Sequence, residues 1–92
     1  MRSMQQTLPG ALAELLRGAP LSPGKVGFAW RAAVGPAVGK VTTVHLEGRQ
    51  LLVDAASITW AREVERSTPV ILMRLQTLLG KETVTSITVR EP

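Results

Sequence analysis

Arg62, Arg66 and Arg74 recur at multiples of four residues, the spacing that stacks side chains on successive turns of one helix face. A row of guanidinium groups at that spacing can track a phosphate backbone, because each fixed cation releases a condensed counterion from the nucleic acid. Lys81 follows near the end of the same segment, and Lys25, Arg31 and Lys40 flank an earlier one and extend the basic set. The competing reading is a solvated face. In it Glu63 and Glu65 pair with Arg66 and Arg62, each three residues away, as ordinary helix-surface ion pairs.

The other reactive residue types form no set. His45 is the only histidine and there is no cysteine, so neither a Cys/His metal site nor a histidine-relayed nucleophile is expected. Asp54 and Glu47 are scattered, which gives no support to paired-carboxylate catalysis. The run Gly35-Pro-Ala-Val-Gly39-Lys40 is too short between its glycines for a nucleotide-binding loop, and Val41 stands where that loop needs Ser or Thr. No enzyme activity, cofactor, metal or small-molecule substrate is expected. Trp30 and Trp60 invite a base-stacking role, but both fall in line with apolar positions. They are read as core anchors, since large aromatics are mostly buried.

The elements that position these residues follow from periodicity. With 92 residues, 45% of them hydrophobic, the chain has room for one core, and residues 1–92 are expected to form a single domain. Residues 1–22 are expected to supply an N-terminal helix, with Leu8, Leu12, Leu15 and Leu16 at helical spacing, and then a Pro-rich connector. Ser22 as cap and Pro23 at the first helical position open a second helix with Val26, Trp30, Ala33 and Val34 on its apolar stripe. Gly35 and Pro36 end it, leaving a turn or short helical piece up to Lys40. Val44 and Leu46, the Glu47-Gly48-Arg49 turn, and Leu51, Val53 and Ala55 then alternate as a β-hairpin. Ser57 caps a long helix closing at Gly80, with a break or kink at Pro69, and Val84, Ile87 and Val89 form a last strand.

The expected fold is therefore α+β, in the order helix, helix, hairpin, helix, strand, with helices on one face of a three-stranded mixed sheet. Its core is expected to contain Trp30, Val34, Leu51, Val53, Trp60, Val64 and Leu75. The net charge of +4 favours anionic partners. No apolar stretch is long enough to span a bilayer and no basic start leads into an apolar leader, so a cytoplasmic protein without a membrane partner is expected.

These residues also carry a resemblance. Phe28-Ala-Trp-Arg-Ala-Ala-Val-Gly-Pro-Ala-Val-Gly39, Glu47-Gly-Arg-Gln-Leu-Leu-Val53, Ala56-Ser-Ile-Thr-Trp-Ala-Arg-Glu-Val64 and Ile71-Leu-Met-Arg-Leu75 to Leu79-Gly80 resemble, in order and spacing, the DciA family of bacterial replicative-helicase loaders. The resemblance runs from Leu8 onward. It implies a KH-like domain that binds DNA and helps load or activate the replicative DNA helicase at replication initiation. No Gly-x-x-Gly loop of the kind with which KH domains clamp backbone is expected, because the run Gly24-Lys25-Val26-Gly27 falls inside the helix opened by Pro23, so that mode of contact is not carried over. A protein-interaction module without physiological DNA affinity, and a KH-like RNA-binding protein, are the alternatives.

Overall fold

The computed structural model describes residues 18–92. The expected N-terminal helix, with Leu8 to Leu16, lies outside them. Ser22 stands in extended conformation and its hydroxyl accepts the Lys25 amide at 3.1 Å, which starts helix α1 at Pro23–Val34. Proline fits that first position because its missing N–H would have no partner there. Val26, Ala29, Trp30 and Ala33 form the buried stripe of α1. The helix stops at Gly35, whose φ of 86° and ψ of 171° lie in a region open essentially to glycine alone. Its extended ψ also suits the proline that follows and opens α2, Pro36–Gly39. Gly35→Ala is therefore expected to cost about 1–3 kcal/mol, measured by chemical denaturation, although an added Cβ would meet no neighbour.

The hairpin follows as β1, Thr42–Glu47, and β2, Gln50–Ala55, with Gly48 at φ 62° in the turn. Register pairs Val44 with Val53 and Leu46 with Leu51, so the apolar members of both strands share one face. A crossover through α3, Ile58–Leu79, leads to β3, Ser86–Arg90, which pairs parallel to β2. The strand order is β1-β2-β3. The architecture is the α+β arrangement expected, with helices packed against a mixed sheet. Central β2 departs from simple alternation, because Leu52, on the face away from Leu51 and Val53, is also buried.

Helix α3 begins on the Ser57 hydroxyl, which accepts the Trp60 amide at 3.2 Å, and ends at Gly80. It passes Pro69 without the expected break. Pro69 cannot serve the carbonyl of Glu65, but both residues are exposed, so that carbonyl stands on the solvent side. The inner stripe, Ala61, Val64, Ile71, Leu75, Leu78 and Leu79, is buried.

The core joins that stripe to Val26, Ala29, Trp30, Ala33, Leu51, Val53 and Val84, with Val34 partly buried against it. Trp30 is 1% exposed, and its indole N–H donates at 2.8 Å to Thr42 Oγ1, which in turn donates at 2.8 Å to the Val38 carbonyl. This chain of two bonds ties α1, α2 and β1 together. Trp60 differs from expectation: it is half-buried and stands outside the core cluster. Leu78, five turns later at the same helical angle, is fully buried. Helical angle alone therefore does not decide burial along α3.

Candidate nucleic-acid interface

Helix α3 presents Arg62 and Arg66 to solvent. A helix turns about 100° per residue, so each step of four residues drifts by about 40° around the axis. Arg62 and Arg66 remain neighbours under that drift. Arg74, three steps from Arg62, is carried round toward α1. Its Nη1 donates to the Ala33 carbonyl at 2.9 Å, serving one of the carbonyls that the last turn of α1 leaves without an intrahelical partner. The expected row of three is thus a pair plus an arginine engaged in joining two helices.

Arg66 Nη1 lies 3.1 Å from Glu63 Oε1 in an exposed ion pair, one of the two neutralising pairs expected. No pair forms between Arg62 and Glu65 among the described residues, which leaves the Arg62 guanidinium available. Val70 and Met73, 51% and 68% exposed, continue along the same outward side of α3. Apolar side chains are therefore interleaved with the cations.

The remaining expected contacts are dispersed. Lys25 bends back to donate from Nζ to the Ala19 carbonyl at 2.7 Å, which ties the connector to α1. Arg31 lies on the exposed side of α1 and Lys40 caps α2. Lys81 stands exposed in the turn after α3. Among the described residues no cluster of three or more His, Cys, Asp or Glu could hold a metal ion, and no helix is long and apolar enough to cross a membrane.

Over residues 3–89 the sequence matches the family model described as Dna[CI] antecedent, DciA. The chain belongs to the DciA family. Searches of curated proteins and of solved structures found no match.

Two further cations of this DciA-family chain bear on the interface. Arg49, exposed in the hairpin turn, was not among the expected contacts. Its carbonyl accepts the Thr85 amide at 2.8 Å, which pins the turn beside the α3–β3 connection that also carries Lys81. The Glu47-Gly48-Arg49 turn signal was sufficient to place a cation at the hairpin tip. Arg90, in contrast, is consumed. On the outer face of the sheet its Nε and Nη2 each donate at 2.8 Å to the two oxygens of Asp54, and Gln50 donates to Thr88 alongside.

The Arg90 hydrogen bond, and secondarily its charge, hold the Asp54 carboxyl below its ordinary value of 3.8. A carboxyl lowered on folding contributes stability that is present above its unfolded pKa and lost as pH falls through the folded one. The gap in melting temperature between the parent and Asp54→Asn is therefore expected to narrow on acidification from neutral pH to below about pH 4. A gap constant over that range contradicts the assignment.

Proposed function

We propose that this domain is a non-enzymatic accessory of replication initiation that binds DNA and helps load or activate the replicative DNA helicase in the cytoplasm. The observation that carries the reading is the family match across nearly the whole chain. The surface supports it. Arg62 and Arg66 stand exposed on a 22-residue helix, a rigid platform for backbone phosphates, and an excess of basic residues gives a net charge of +4. A surface of this kind contacts phosphates and not base edges, so the binding is sequence-tolerant.

A second reading has its own observation. Exposed Val70 and Met73 beside the arginines suit a protein partner, as apolar anchors with a charged rim do. Titrating labelled DNA of unrelated sequences at several salt concentrations separates the two. The DNA-binding reading expects affinity that falls steeply and log-linearly with salt on every sequence. Absence of binding at low salt, with retention of the helicase in a pull-down, assigns the face to protein contact alone.

A further inference from the structure

Helix α1 contains a glycine that its backbone does not require. Gly27 and, at the end of α2, Gly39 both lack positive φ, and glycine inside a helix is less stable than alanine. The side chain of Arg31 gives each a reason. A Cβ added at Gly27 would come within 3.3 Å of Arg31 Nη1, and one at Gly39 within 3.3 Å of its Cγ and 3.9 Å of its Cβ and Cδ. The two glycines thus leave a trough in which the arginine stem lies against α2 and its guanidinium runs back along α1. Arg31 has no ion pair among the described residues.

We infer that Arg31, laid in the Gly27–Gly39 trough, is a preorganised contact for a backbone phosphate of bound DNA. The inference rests on the DNA-binding reading above and adds a second contact away from α3. A long side chain free in solvent loses rotamer freedom on binding, and a planar guanidinium already held in place loses less. Gly27 and Gly39 are positioning residues, acting only through Arg31.

The test is fluorescence anisotropy of labelled DNA with the full chain, run with melting curves. Arg31→Ala is expected to weaken binding roughly five- to tenfold at about 0.1 M salt on unrelated sequences, and to lower the salt slope by about one unit. Arg31→Gln, which keeps most of the stem but no charge, should lose as much. Gly27→Ala should raise the melting temperature and yet weaken binding, a combination that a purely structural glycine does not produce. Gly39→Ala should also weaken binding, and adding it to Arg31→Ala should cost nothing more, since residues acting through one group are not additive. Glycine variants that bind like the parent, or losses that add to that of Arg31→Ala, overturn the positioning role. If the Arg31 variants bind like the parent while Arg62→Ala/Arg66→Ala is weakened, this contact is wrong and the DNA-binding reading stands. If the parent itself fails to bind DNA, both fall.

Discussion

Trp30→Ala is expected to unfold the domain or bring it to the edge of unfolding. The side chain is 1% exposed at the centre of the cluster that joins α1, α3 and the sheet, and truncating a buried aromatic costs roughly 3–5 kcal/mol. The loss also leaves Thr42, itself only 8% exposed, without the indole donor that fixes its hydroxyl. A domain this small has a total stability of only about 5–15 kcal/mol at best. The comparison that makes the prediction sharp is Trp60→Ala. Half-buried and outside the cluster, Trp60 should cost no more than about 2 kcal/mol. Denaturation followed by circular dichroism reads both, and a larger loss at Trp60 than at Trp30 contradicts the packing described.

Arg62→Ala/Arg66→Ala is expected to lower the slope of log affinity against log salt by about two units, with affinity falling roughly fiftyfold at about 0.1 M salt. Both side chains are exposed and their one ion pair is a surface pair, so the melting temperature should hold. Arg74→Ala should behave in the opposite way. Its guanidinium already serves the Ala33 carbonyl, so the melting temperature drops slightly while the salt slope stays at the parent value. Equal slope losses at Arg74 and at Arg62 would show that the row of three operates as one surface after all.

The contrast between these arginines marks where sequence reading reaches its limit. Element order was legible because its signals are local: Ser22 and Ser57 cap, Gly35 and Gly80 terminate, and the alternation around Gly48 fixes the hairpin register. Of the break or kink expected at Pro69, the break does not occur, since the stripe from Ala61 to Leu79 packs on both sides of the proline and holds one helix. Trp60 misled. Its helical angle is that of the buried face, but helical angle alone does not decide burial. The cations were the least legible. Spacing placed Arg62 and Arg66 correctly on the outward side of α3, whereas the diversion of Arg74 to α1 and of Arg90 to Asp54 depends on partners 41 and 36 residues away. Long-range hydrogen bonds decide which charges remain available, and no pattern along the chain encodes them.

Action of the domain on DNA in support of the replicative helicase is read out by helicase occupancy on circular single-stranded DNA. Adding this chain is expected to increase the amount of helicase recovered on the circles, and Arg62→Ala/Arg66→Ala, folded and in equal amount, to lose most of that increase. Helicase occupancy unchanged by the parent chain, or raised equally by the double variant, contradicts that action on DNA.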